Sequence, residues 1–77
     1  MKLTIAKVDE VLFLGEAKSL SCPGTSGDLT ILPNHSPLVT PLKKGDLKVI
    51  DHEDKELIIP IEQGVLEVGG NEVTVIL

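Results

Sequence analysis

Apolar and polar residues alternate with a period of two along most of the chain, in short runs closed by Gly, Pro, Asn or Asp. Lys2–Val8 predicts a first strand, and Val11–Leu14 a second after the acidic turn Asp9-Glu10. Glu16–Cys22 alternates, which places Lys18, Leu20 and Cys22 on one face and Ala17, Ser19 and Ser21 on the other. Leu29–Leu32, Leu38–Thr40 and Asp46–Ile50 follow, then Glu56–Ile61, Gly64–Val68 and Glu72–Leu77, with Gly69-Gly70-Asn71 as a hairpin turn. No segment carries a 3.6-residue period, and there is no repeat. Nine short strands with frequent turns predict an all-β sandwich or barrel in one domain, residues 1–77. Pro41 and Pro60 fall within strand-like runs; neither donates to a ladder, so both predict sheet edges or strand ends.

Pro23–Leu42 breaks this rhythm. Its twenty residues hold two glycines, four prolines and one brief apolar run. Gly24 and Gly27 are expected to supply the positive φ of a tight strand connection. Pro33-Asn34-His35-Ser36-Pro37 has two fixed φ angles and no helical path, so it predicts a stiff, shaped loop. Loops of this kind on a β scaffold are frequent docking surfaces.

Composition narrows the function classes. A chain of 77 residues buries only about 60% of its unfolded surface on folding, so a partner surface adds stability it needs. Net charge is −5, every basic residue is Lys, and Phe13 is the single aromatic. That argues against nucleic acid and anionic lipid head groups, which call for basic faces and, for single strands, stacking rings. One Cys rules out an internal disulfide, and Cys22 in its apolar strand predicts a small core residue. No leader pattern and no apolar run long enough to cross a bilayer is present, so a soluble protein without direct membrane insertion is expected.

Candidate chemistry is thin. Asp51-His52-Glu53-Asp54 is rich in metal-ligand types, but adjacent turn residues rarely converge on one ion, and a solvated hairpin tip is the better expectation. His35 with Ser36, or Cys22 with either His, lacks a nucleophile elbow and a third orienting group. Gly24-Thr25-Ser26-Gly27-Asp28 has no following Lys and opens no helix, so it predicts a turn rather than a phosphate loop. Neither catalysis nor a cofactor is expected. Lys55 between Asp54 and Glu56 superficially resembles the modified Lys of lipoyl or biotinyl carrier domains, without their usual flanking residues or internal repeat.

Gly27-Asp28-Leu29-x-Ile31-Leu32-Pro33-Asn34-His35-Ser36-Pro37-Leu38-x-Thr40 resembles the ε subunit of bacterial F-type ATP synthases, called δ in mitochondria. Phe13-x-Gly15-Glu16 before it, Leu42-Lys43-x-Gly45 after it and Gly64–Val75 fall in the family's order, so the resemblance spans nearly the whole chain. It implies a flattened sandwich of about ten short strands. It also implies a non-catalytic rotor part clamping γ to the membrane c-ring within the α/β/γ assembly, peripheral on the cytoplasmic face of an energy-transducing membrane. Carried over residue by residue, the c-ring side would draw on Thr25, Ser26, Gly27, Asp28, Leu29, Ile31 and His35, with Asp28 foremost. The γ side would draw on Lys7, Thr40 and Leu42. Asn34 stands where Gly is common in the family, and Asn tolerates left-handed φ. Pro41 replaces a small residue and is expected to trim its strand. Family members continue into a C-terminal helical hairpin; this sequence ends at Leu77, and the resemblance is to the sandwich without it.

Overall fold

The computed structural model describes residues 1–77. It contains eight strands and no helix: β1 (Lys2–Lys7), β2 (Glu10–Gly24), β3 (Gly27–Ile31), β4 (Leu38–Leu42), β5 (Gly45–Asp51), β6 (Glu56–Ile61), β7 (Gly64–Gly69) and β8 (Glu72–Ile76). The all-β expectation holds, with fewer strands than the nine of the pattern or the ten or so of the resemblance. The difference lies in β2. Two expected strands are one 15-residue strand, because Gly15 pairs with Leu3 and the ladder runs on through it.

The two halves of β2 serve different layers. Its first half pairs antiparallel with β1 (Lys2↔Glu16, Ile5↔Phe13), and its second half pairs with β5 (Leu20↔Val49) and β3 (Leu20↔Ile31). The ladder to β5 slips between Ala17 and Ser19, the mark of a β-bulge, which bends the strand and increases its twist. The bulge also resets the alternation. Ala17 and Leu20, three residues apart, are both buried, while Lys18 turns outward and pairs with Asp54 at 2.7 Å. The expectation that Lys18 shares a face with Leu20 and Cys22 is therefore corrected; a strict period of two cannot register an inserted residue.

The first layer is β2–β1–β8–β7–β4, with β1 and β8 parallel and the other pairs antiparallel. The second is β3–β2–β5–β6. Gly24 faces Leu42 across β2 and β4 and joins the layers, supported by Lys43 N–H donating to the Pro23 carbonyl at 2.9 Å. A Cβ at Gly24 would come within 2.6 Å of the Gly27 carbonyl oxygen and into the Leu29 side chain. Gly24 is needed for this close approach rather than for φ; of the two turn glycines only Gly27, at φ 130°, is positive. Pro60 sits in the edge strand β6, as expected. Pro41 does not trim β4, which runs on to Leu42: beyond β7, β4 is paired only at that last residue, so the missing N–H breaks no second ladder.

Between the layers lies one apolar core that includes Leu3, Ile5, Leu20, Ile31, Leu47, Val49, Leu66, Val73 and Val75, with no buried polar side chain. Stability on the order of 4–12 kcal/mol is usual for a domain of this length. Gly24→Ala is expected to lower it by about 1–3 kcal/mol through overpacking at the layer junction. Gly69→Ala, with nothing within 4 Å of its added methyl, serves as the neutral control. Urea unfolding followed by circular dichroism should show a lower midpoint for the first variant alone.

Candidate interaction surfaces

The strand registers sort the turns into two opposite ends. At one end stand the Thr25–Ser26 turn, Lys43–Lys44, Val8–Asp9, Glu62–Gln63 and Leu77. At the other stand Met1, the Glu16–Lys18 bend, the Pro33–Pro37 loop, the Asp51–Lys55 hairpin and Gly70–Asn71.

Thr25, Ser26, Gly27 and Asp28 are exposed at the first end, and Leu29 is half-buried. Asp28 shares an open cleft of about 490 Å³ with Lys43, Lys44, Asp46 and Thr30. None of these charges is paired within the chain, which leaves a mixed-sign polar surface for contact. Ile31 is fully buried and Leu42 is 3% exposed, so neither presents contact surface; both expectations are corrected. Each falls on the inward phase of its strand, facing Leu20 and Gly64 respectively. Cys22 is buried beneath the cleft, as expected of a core residue; burial first, then the Asp28 carboxylate, pushes its thiol up to about 11.

His35 is at the opposite end, so the structure does not bring it together with Asp28. Its Nδ1–H donates to the Ser36 carbonyl at 2.7 Å, and its N–H donates to the Leu32 carbonyl at 3.2 Å. Asn34 adopts φ 65°, the left-handed conformation its side chain tolerates, and its N–H donates to Asn71 Oδ1 at 3.3 Å. These bonds tie the proline-flanked loop to the β7–β8 turn.

The acidic hairpin folds around Asp51, whose Oδ1 accepts from Glu53 N–H at 2.8 Å and Lys55 N–H at 2.9 Å. The Lys55 bond foremost, offset in part by desolvation, holds the Asp51 carboxyl below the usual carboxylate range. Asp54 is taken by Lys18, and Glu53 Oε1 lies 3.9 Å from Lys55 Nζ, so these carboxylates serve the turn.

One surface escaped the sequence reading. On the outer face of the first layer, Val11, Ala6, Ile76, Val65 and Pro41 fall in register, one from each of five adjacent strands. Val11 is 59%, Ile76 48% and Val65 41% exposed. A second row, Leu14–Thr4–Thr74–Glu67–Val39, lies beside it, with Leu14 65% and Val39 71% exposed. The outer face of the second layer is more mixed: Ser21 is hydrogen-bonded to Thr30 and Lys48 is paired with Glu56, with Ile58, 47% exposed, beside them on β6. A contiguous apolar sheet face on a monomer marks a contact surface. Lys7, Thr40 and Leu42 lie off it: Lys7 is at the β1–β2 turn, Thr40 points inward opposite Leu66, and Leu42 is in the core.

A family model described as "ATP synthase, Delta/Epsilon chain, beta-sandwich domain" matches residues 1–77. The chain belongs to this family. Among curated members, it is 37% identical over 76 residues to the ATP synthase epsilon chain of Bordetella avium, covering 99% of this chain and 54% of that one. It is 34% identical over 76 residues to that of Brevibacillus brevis, covering 99% and 58%. The chain thus spans little more than half the length of these relatives. The delta/epsilon sandwich also aligns with a chain of the Euglena gracilis mitochondrial ATP synthase structure at TM-score 0.89 and 24% identity, over 96% of this chain and 48% of that one. A chain of the Tetrahymena thermophila central stalk and c-ring structure aligns at TM-score 0.83 and 14% identity, over 97% and 60%. At these identities the two structures establish the fold. Membership in this family decides against the carrier-domain reading of Lys55, which is an exposed hairpin residue.

Two chemical expectations follow for this delta/epsilon domain. Cys22 should react with a thiol reagent at pH 8 only as fast as the protein opens, and at once in 6 M guanidinium, as a mixing experiment would record. The Asp51 carboxyl carbon should titrate below the usual aspartate range by NMR. Because its folded value is depressed, its hairpin contribution is complete above the unfolded value and is lost as pH falls through the folded one.

Proposed function

We propose that this chain is a non-catalytic central-stalk part of an F-type ATP synthase, seated between γ and the c-ring so that ion-driven rotation reaches the catalytic head. The observation that carries this reading is the outer face of the first layer. A domain of 77 residues that leaves an apolar row across five strands is built to be covered, and a broad sheet face suits a large, stiff partner. In this proposal γ covers that face. The Thr25–Asp28 turn, with Lys43 and Lys44 beside it, meets the polar loops of the c-ring. Asp28 contributes rim-like electrostatics there, worth little singly, and Leu29 adds apolar area.

A ring surface at the Asp28 end does not reach His35 at the other end, so His35 serves as a loop brace. A rotor joint must not open locally, and eight paired strands around a wholly apolar core suit that demand. The domain would sit peripherally at the cytoplasmic face of an energy-transducing membrane; the fold contains no helix long and apolar enough to cross one.

Rebinding to the source organism's ATP synthase stripped of this subunit tests the proposal. The unaltered chain should restore γ and c-ring co-purification and coupled ion pumping. Ile76→Asp should weaken binding about 30-fold or more, as for a hot-spot loss near 2 kcal/mol. Ile58→Asp, on the outer face of the second layer, should leave it unchanged. Equal binding by all three chains would remove γ from the apolar face.

A further inference from the structure

Glu67 is the one charged residue in the two rows of the apolar face. It stands on β7 between Val39 of β4 and Thr74 of β8, with Val65 two residues along the same strand. No basic side chain faces it in register, and it makes no ion pair or hydrogen bond within the chain. Some other charges on strand faces have partners, whereas Asp28 and Asp46 at the polar end do not. Lys48 meets Glu56 at 3.1 Å, and at the far end of the apolar face Lys2 stands in register between Glu16 and Glu72. Glu is also a poor strand residue, so local β preference gives no reason for it in the middle of β7.

A partner that covers this face must take the Glu67 carboxylate out of water. Burying it alone would leave an uncompensated charge, a penalty that works directly against the apolar contacts beside it. We infer that the covering partner presents a single basic side chain, Lys or Arg, opposite Glu67, and that this pair fixes the register in which the two surfaces seat. The inference rests on the docking of γ proposed above. Apolar rows alone specify position weakly, because a small slide along the sheet exchanges one aliphatic contact for another. One charge pair inside them does not tolerate a slide, since either partner left unpaired is penalised. The pair thus acts on specificity, while Val11, Ile76, Val65, Leu14 and Val39 supply the buried area.

The same rebinding assay tests it, with Glu67→Gln, Glu67→Lys and Ile76→Asp at 50 and 500 mM salt. Glu67 is exposed, so both Glu67 variants should keep the unaltered urea midpoint within error. Glu67→Gln should bind about 30-fold more weakly and Glu67→Lys about 100-fold or more, the loss seen when one member of a buried charge pair is removed or reversed. Reversal of a basic γ residue should restore the Glu67→Lys chain. If Ile76→Asp weakens binding while both Glu67 variants stay within twofold of the unaltered chain, the charge pair is wrong and γ docking stands. If Ile76→Asp also binds normally, the docking proposal fails and this inference falls with it.

Discussion

The structure depends on one strand doing two jobs. β2 leaves the first layer at the Glu16–Lys18 bend and enters the second, so a single stretch of backbone holds the layers together. The bulge after Ala17 makes this possible. It absorbs one residue, turns the strand and returns Leu20 to the core side. At its far end β2 meets β4 at Gly24, where only a residue without Cβ allows the approach. Bend and junction together close the hydrogen-bonded circuit β2–β1–β8–β7–β4 and leave β3, β5 and β6 stacked across it.

This closure explains how so short a chain forms a core at all. With two layers pinned at both ends, aliphatic residues are enough to fill the space between them, and no aromatic is fully buried there. No polar side chain is buried either, so no internal network has to be satisfied before the core packs. The cost of order is kept down by short connections, among them the Asp51 turn and the left-handed Asn34.

The two outer faces then diverge in chemistry. One carries Ser, Thr and a Lys–Glu pair beside Ile58 and is the more polar of the two. The other carries Val, Leu and Ile with one unpaired carboxylate and suits a partner. The end bearing Asp28, Lys43 and Lys44 is polar and lies around a corner from the apolar face. In the proposed role as a coupling part, these unlike surfaces would meet two partners, one mainly by burial and the other by shape and weak electrostatics.

Local pattern alone was enough for the class of fold, most strand positions, the edge placement of Pro60 and the core role of Cys22; the left-handed Asn34 came from the resemblance. The former follow from local steric or solvation rules acting over a few residues. The ordered motifs from Phe13 to Val75 also carried the family. Everything that depends on which strands are neighbours came from the fold itself. Ile31 and Leu42 read as contact residues until the registers set them against Leu20 and Gly64 in the interior. Asp28 and His35 sit seven positions apart in sequence, yet β3 carries them to opposite ends. The apolar row was not legible because its members are spread from Ala6 to Ile76 and each looks like an ordinary exposed strand residue. Period-two alternation says which residues of one strand share a face. It says nothing of the next strand over, and only hydrogen-bonded pairing across five strands makes Val11, Ala6, Ile76, Val65 and Pro41 a single surface.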